Sequence, residues 1–544
     1  MNVAFRDRFP GVATWIEVMI RMRLASVVLA GLVTVSVGCA TGSGDGAGSD
    51  GTGGNGSGPS TGGSGGHQNG AGGASSTGSG GSGAAGAPGT GGAASGGGSG
   101  AMGGVGGGGG SGIGGVTGTG GRGAGGVTAT GGTTGTAGAG GNADPCGPSN
   151  PATVPLPTIP AGAFDITTYG ANGDGKTDNT AAIQMALNAA NTAGGGTVTI
   201  PSGTFLSGPL VIHSSTRLDF ASGSVLQMLP FGTYPTAAPA FITTDSSAHD
   251  IVLSGSGTID GQGQAWWDAF ATNSALVRPQ EVNLGHVTRI QITGIRLQNP
   301  PEEHIWVKSD TNVTITGITI NTPGVSGKSA PKNTDGVDVT ATGMFFCNNN
   351  IVAGDDNIAM SGTNLYIGFS TFGVGHGCSI GSITENGVSN VTVDHLTMNG
   401  TTSGIRMKSA RDRGGLVHNL TYSNITMTNV QNPVFITSFY PTLPTDPTTD
   451  ATMPITATTP IWQNITIKNL TATGSTNAGI LWGLPEEKIS MLTFDNVKIS
   501  ANTGMEIFHA SGISFINGSS VTAKSGAAVT ISDAAVTGVT TTPF

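Results

Sequence analysis

Charge is scarce in this sequence. Asp, Glu, Lys and Arg make up only 10% of its 544 residues, well below the roughly 25% of an average soluble protein. The 21 basic residues against 31 acidic ones leave a formal net charge of −10. No basic stripe is available to neutralise phosphates, which argues against nucleic acid as a partner. An anionic ligand is not excluded, but it needs a local cluster of Arg and Lys set against the overall field. Cysteine is scarce too. Cys39, Cys146, Cys347 and Cys378 form no C-x-x-C pair, which argues against a structural zinc site. Cys347 and Cys378 read as buried small hydrophobes, with a disulfide between them as the alternative. No metal site and no cofactor are implied.

Long apolar runs are missing as well, apart from residues 24–37, which follow Arg21 and Arg23. That run is too short to span a bilayer and has the layout of a secretory signal. Ser36-Val37-Gly38-Cys39 resembles a bacterial lipobox, in which the Cys becomes a lipidated N-terminus, although Ser36 stands where a larger aliphatic is usual. Residues 1–38 are therefore read as an N-terminal extension and signal peptide. The expectation is a secreted protein or cell-surface lipoprotein of a bacterium, touching membrane only through a lipid anchor at Cys39.

Glycine, by contrast, is abundant: 96 residues, most of them before residue 142. Residues 39–142 are Gly with Ser, Thr and Ala, and cannot bury enough apolar surface to offset their ordering entropy. They read as a disordered linker. Residues 143–162 form a Pro-rich lead-in, and residues 163–544 the folded domain, expected to be a monomer.

Within that domain, residues 179–190 carry Ile183, Ala186, Leu187 and Ala190 on one helical face. Asp178 is a suitable N-cap and Gly194-Gly195-Gly196 a stop. Gly173-Asp174-Gly175-Lys176-Thr177-Asp178 reads as a turn leading into that helix, since the rest of a calcium loop is missing. Short β-patterned units then recur, among them residues 290–295, 313–318, 391–393, 425–427 and 465–470. Ile290 to Val313 spans 23 residues and Tyr366 to Val391 spans 25, and an Asn often precedes a unit, as at Asn312, Asn390, Asn424 and Asn464. Such periods mean a repeat architecture. Without intervening helices or frequent hairpin signals, the pattern predicts an all-β parallel β-helix rather than a sandwich, its first coil covered by the short N-terminal helix.

The few charges that exist are clustered. Asp335 lies in Asn333-Thr334-Asp335-Gly336, Asp355 and Asp356 in Gly354-Asp355-Asp356-Asn357, and His376 in Gly375-His376-Gly377. Arg406 and Lys408 follow in Arg406-Met407-Lys408. Asp335 to Asp356 is 21 residues, Asp355 to His376 is 21, His376 to Arg406 is 30 and Lys408 to Tyr440 is 32. Each interval approximates one coil, and coils stack about 4.8 Å apart, so these groups can form a column on one face. One carboxylic acid and one carboxylate are what glycoside hydrolysis requires. Crowding raises the pKa of at least one of them. Arg and Lys nearby can hold a sugar carboxylate.

These blocks, in this order, resemble the polygalacturonase family of glycoside hydrolases (family 28), over roughly residues 163–540. The block Gly257-Thr258-Ile259-Asp260-Gly261, followed by Trp266-Trp267, belongs to the same resemblance. The resemblance implies a right-handed, single-stranded parallel β-helix and inverting hydrolysis of polygalacturonate or pectin. Asp355 is then the general acid, Asp335 and Asp356 the pair that activates water, and His376 a hydrogen-bonding aid. Asn333, Arg406, Lys408 and Tyr440 then bind substrate. Met407 and Asn357 depart from the usual residues at their positions. A pectate lyase and a non-catalytic glycan-binding adhesin are the alternatives.

Overall fold

A computed structural model of the chain describes residues 144–541 apart from 148, 238 and 239. The leader, the lipobox and the linker lie outside the described residues. Residues 144–150 belong to a separate unit of the chain and form two successive tight turns, closed by Gly147 N–H on the Asp144 carbonyl and Asn150 N–H on the Gly147 carbonyl.

From Ala163 onward the chain is a parallel β-helix. Its strands pair in parallel with the strand one coil away, along three sheets. One runs from Gly196–Ile200 through Thr216–Phe220, His249–Gly255 and Thr288–Thr293. A second runs from Gly203–Ser207 through Ser224–Met228, Thr258–Asp260, Arg296–Gln298 and Thr319–Asn321 to Asn350–Val352. The third begins at Leu210–Ile212, Ala240–Thr244 and Gln280–Gly285. It continues through residues 305–308, 337–340 and 358–360 to Cys378–Ile380, Ser403–Lys408 and Asn432–Thr437.

The β-branched units of the sequence form the interior. In the first sheet Ile292, Ile315, Phe346, Ile367, Val393, Tyr422, Ile467 and Phe494 stack in register, coil upon coil, and all are buried. Each such side chain contributes roughly 1.5–3 kcal/mol of transfer free energy. The 23-residue spacing of Ile290 and Val313 is a true register pair. The 25-residue spacing of Tyr366 and Val391 is not: Leu365 pairs with Val391, one coil of 26 residues.

The helix predicted before the first coils spans Thr180–Thr192 and buries Ile183, Ala186, Leu187 and Ala190. The cap differs from expectation. Asn179 is the capping residue, its side chain turned instead to the backbone around Asn172, while the Asp178 carboxylate accepts from Thr180 N–H at 2.9 Å. A second helix, Gln264–Thr272, was not foreseen; it carries Trp266 and Trp267, both buried. Cys347 is disulfide-bonded, whereas Cys378 is a free, buried thiol. The two are therefore not bridged to each other, and Cys347 is not the inert hydrophobe expected.

The recurrent asparagines have a common cause. Asn312, Asn364, Asn390, Asn419, Asn424, Asn464, Asn469 and Asn496 all sit at φ of 52–60°, a left-handed conformation that Asn tolerates better than other side-chain-bearing residues. Their amides also pair between coils: Asn390 donates to Asn364 at 3.1 Å, Asn469 to Asn424 at 3.0 Å and Asn496 to Asn469 at 3.0 Å. Asn424 additionally donates to Asp394 at 2.8 Å. Asn424→Ala should thus lose about 1–3 kcal/mol of stability, part hydrogen bond and part backbone strain, and Asn424→Gly should lose less than the alanine variant. Urea unfolding of the two variants checks this; equal losses would mean that the left-handed backbone is not the constraint.

Candidate active site

The third sheet carries the charged groups on its outer face and on the turns leading into it. One outward row reads Asn283, Trp306, Asp338, Ala359, Ser379 and Arg406, each in register with the next. The turns before these strands supply Asn333 and Asp335, Asp355 and Asp356, then His376. Glycines let the turns stack this closely. A Cβ on Gly375 (φ 150°) would meet a nitrogen or oxygen of the Asn357 amide within 2.6 Å, and a Cβ on Gly377 (φ 87°) would lie 2.1 Å from the Ser403 carbonyl oxygen. Asn357 itself is fully buried and accepts Gly377 N–H at 2.8 Å, so it braces the turn that presents His376.

The predicted column is real for the carboxylates. His376 N–H donates to the Asp355 carbonyl at 2.8 Å, and its Nδ1 meets Asp355 Oδ1 at 2.7 Å. The cations are displaced by three positions from the predicted intervals. Arg406 pairs in register with Ser379, not His376, and Lys408 with Thr437, not Tyr440. The reason is their place along the coil: the acids and His376 sit on turns before the strands, Arg406 and Lys408 on a strand, and Tyr440 beyond the end of the next one. The side chains nevertheless converge. Arg406 donates to Asp356 Oδ1 at 2.6 Å, Lys408 to Asp356 Oδ2 at 3.1 Å and Ser379 to Asp356 Oδ1 at 2.7 Å. The ring of Tyr440 lies 5.1 Å from the Lys408 ammonium and 5.9 Å from the Arg406 guanidinium.

Asn333, Asp335, Asp355, Asp356 and Lys408 line a cleft of about 720 Å³; His376, Arg406 and Tyr440 stand outside its lining. Electrostatically the carboxyls divide. Burial drives Asp356 upward, but Lys408, Arg406, His376 and Ser379 together outweigh it and hold the group well below the usual carboxylate range. Burial and the neighbouring Asp338, Asp355, Asp356 and Glu303 push Asp335 far above that range. Asp338 is pushed up to about 7, by burial first and then by Asp356. Asp355, Asp356 and His376 could also offer three metal ligands within 4.8 Å of one another. Two ammonium-type charges already on Asp356 oppose a divalent cation there.

The comparisons agree with this geometry. The sequence profile of the Glycosyl hydrolases family 28 matches residues 192–542. An endo-polygalacturonase of Pectobacterium carotovorum subsp. carotovorum is 32% identical over 367 residues, covering 60% of this chain and 86% of that protein. The solved structure of a polygalacturonase from Erwinia carotovora ssp. carotovora superposes with a TM-score of 0.56 at 30% identity, covering 66% of this chain and 99% of that one. The chain belongs to glycosyl hydrolases family 28. An exopolygalacturonase of Zea mays is also similar, 31% identical over 336 residues, 58% of this chain and 78% of that protein, so this family-28 chain resembles both modes of attack.

Several residues of this family-28 cleft were not singled out from sequence. Asp338, Glu303, Trp306, Lys308 and Arg278 all line it. Arg278 is fully buried; it donates to the Asn333 side chain at 2.9 Å and to the Pro301 and Lys332 carbonyls at 2.9 and 2.6 Å, and its guanidinium lies 3.9 Å over the Phe270 ring. Asn333 is thus clamped from a loop that enters from the second helix. The upstream Asp260 block is architectural: Asp260 accepts from Gln262, Gln298 and Asn299, and Trp267 donates to the Pro300 carbonyl at 3.0 Å. Asp338 could have been found from the coil register, being three residues beyond Asp335 as Ser379 is three beyond His376.

The raised pKa of Asp338 has a consequence for stability. The unfolded side chain loses its proton near 4 and the folded one near 7, so between these values the folded state binds more protons. Stability therefore falls as pH rises through this window. Asp338→Asn should flatten that fall by on the order of 1–4 kcal/mol, leaving the variant more stable than wild type at pH 8 relative to pH 4. Thermal melts at both pH values check this; parallel curves would place the Asp338 proton elsewhere.

Proposed function

We propose that the chain hydrolyses α-1,4-galacturonosyl linkages in polygalacturonate by an inverting acid/base mechanism. The observation that carries this reading is the division of the carboxyls. Asp356 is held ionised by two cations, while Asp355 beside it is met at Oδ1 by His376 and by the Asp356 N–H. Asp355 then serves as the acid that protonates the leaving glycosidic oxygen. Asp335 and Asp356 together activate the attacking water, whose proton passes to this pair. Arg406 and Lys408 keep Asp356 ionised, and Lys408, which lines the cleft, meets the uronate carboxylate. The names of the relatives support galacturonan as the substrate. The cations on Asp356 favour proton chemistry over a calcium-dependent lyase.

Residues 21–39 support export, with Cys39 as the lipidated residue and residues 39–142 as a tether between anchor and enzyme. Metabolic labelling with a radioactive fatty acid should mark the wild-type protein and not Cys39→Ser; label on neither would leave plain secretion.

Reducing ends should appear from polygalacturonic acid with a chelator present, and Asp355→Asn should lower kcat by at least about a hundredfold. Proton NMR of the first product should show the β-anomer. An unsaturated product, or an α-anomer, would defeat the mechanism, and full activity of Asp355→Asn would remove its assigned role.

A further inference from the structure

The cleft is electrostatically two-ended. Along the outward row, Arg406 lies three coils beyond Asp338, roughly 14 Å at the stacking distance of parallel strands. The Arg406 end holds Lys408 and the Tyr440 ring. At the other end stand Asp338, Glu303 and Trp306. Glu302 there pairs with Arg278 at 3.4 Å, whereas neither Glu303 nor Asp338 forms an ion pair of its own among the described residues. Glu303 is only 6% exposed and lines the cleft, and its Oε2 has no hydrogen-bond partner; Asp338 Oδ1 has none either. Gln280 hydrogen-bonds the Glu303 carboxyl. Trp306 is half-buried and lines both this cleft and an adjoining recess of about 300 Å³. The one exposed cation here, Lys308, sits at the rim with its ammonium 4.9 Å from the Trp306 ring.

A pyranose suits this arrangement better than a uronate does. An aromatic face takes the apolar face of a sugar ring, and unpartnered carboxyl oxygens accept its hydroxyls. A sugar carboxylate entering the same place sheds hydration beside two carboxyls, and the Arg278 guanidinium in the lining is already engaged by Glu302, Asn333 and the Pro301 and Lys332 carbonyls. Ala359, between Asp338 and Ser379 in the row, lines the cleft with a small side chain that leaves room beside Asp355 and Asp356. We propose that Trp306, Asp338 and Glu303 form a subsite for an uncharged pyranose, which in pectin is a methyl-esterified galacturonosyl residue. This rests on the reading of the chain as a galacturonan hydrolase and adds that one position near the cut is selected for the absence of charge.

The experiment uses the full chain on three polymers: de-esterified polygalacturonate, randomly half-methyl-esterified polygalacturonate, and polygalacturonate in which some carboxyls have been reduced to alcohols. Products of the esterified polymer are sequenced by mass spectrometry. Methyl groups should concentrate at one fixed position relative to the cut, several-fold above the polymer average. Reduced residues should concentrate at the same position, since lack of charge rather than the ester is what is recognised. Trp306→Ala should erase both enrichments and raise KM several-fold with little change in kcat, Trp306→Phe should retain them, and Trp306→Lys should shift that position toward free acid. Free acids at every position flanking the cut, or an ester pattern untouched by Trp306→Ala, overturns the subsite while leaving the hydrolase standing. Absence of new reducing ends from all three polymers overturns the hydrolase reading and the subsite with it.

Discussion

Everything in this molecule follows from the parallel hydrogen-bonded stacking of one coil upon the next. Parallel strands repeat at a spacing of about 4.8 Å, and the spacing is set by backbone groups, not by side chains. A residue's chemistry is therefore defined by its height in the stack and its place along the coil. Inward positions become columns of Ile, Val, Leu and Phe that need no partner beyond the next coil. Outward positions become rows, and one such row holds Trp306, Asp338, Ser379 and Arg406. Residues 50 apart in sequence, such as Asp356 and Arg406, meet because they are a few coils apart in space.

That constraint also explains what sequence reasoning could reach. The solenoid was legible because the repeat of β-branched units and the preceding asparagines both report coil geometry. Ile290 and Val313 lie in true register, and the asparagines occupy the left-handed turn positions that the repeat demands. The acids and His376 were legible because charge is scarce and Gly-His-Gly marks a turn where no Cβ fits. Counting intervals failed by three positions at Arg406 and Lys408, because turn length varies between coils and an interval alone does not reveal whether a residue sits on a turn or on a strand. Asp338, Glu303 and Arg278 were missed for a different reason. Each looks like an ordinary surface charge in sequence, and for Glu303 and Arg278 only the folded coil shows that they are buried against the cleft. Cys347 was read as a buried small hydrophobe, with Cys378 as its alternative partner, whereas it is disulfide-bonded and the coil leaves Cys378 sealed and unbridged.

The division of the carboxyls is a product of the same rows. Asp356 and Asp335 are one coil apart, yet their protons are held oppositely. Burial acts on both in the same direction, so burial cannot be the discriminator. What separates them is the strand beyond: Asp356 has Ser379, Arg406 and Lys408 within hydrogen-bonding reach, whereas Asp335 faces Asp338 and Glu303. A family of acids and bases is thus sorted by which side of a given coil the cations lie on, with no need for different side-chain chemistry.

Leaving Glu303 and Asp338 without full partners costs stability, since buried polar oxygens that lack hydrogen bonds forfeit their hydration. The solenoid can bear that cost because its core is continuous: one interior column extends unbroken past the site from Ile292 to Phe494, so local destabilisation on an outer face does not reach the packing behind it. A compact globular core would have had to route such groups through its packing. In a stacked coil the face that carries chemistry and the face that carries stability are separated by a single backbone. Unsatisfied groups can then persist on the outer face, where a ligand is free to satisfy them.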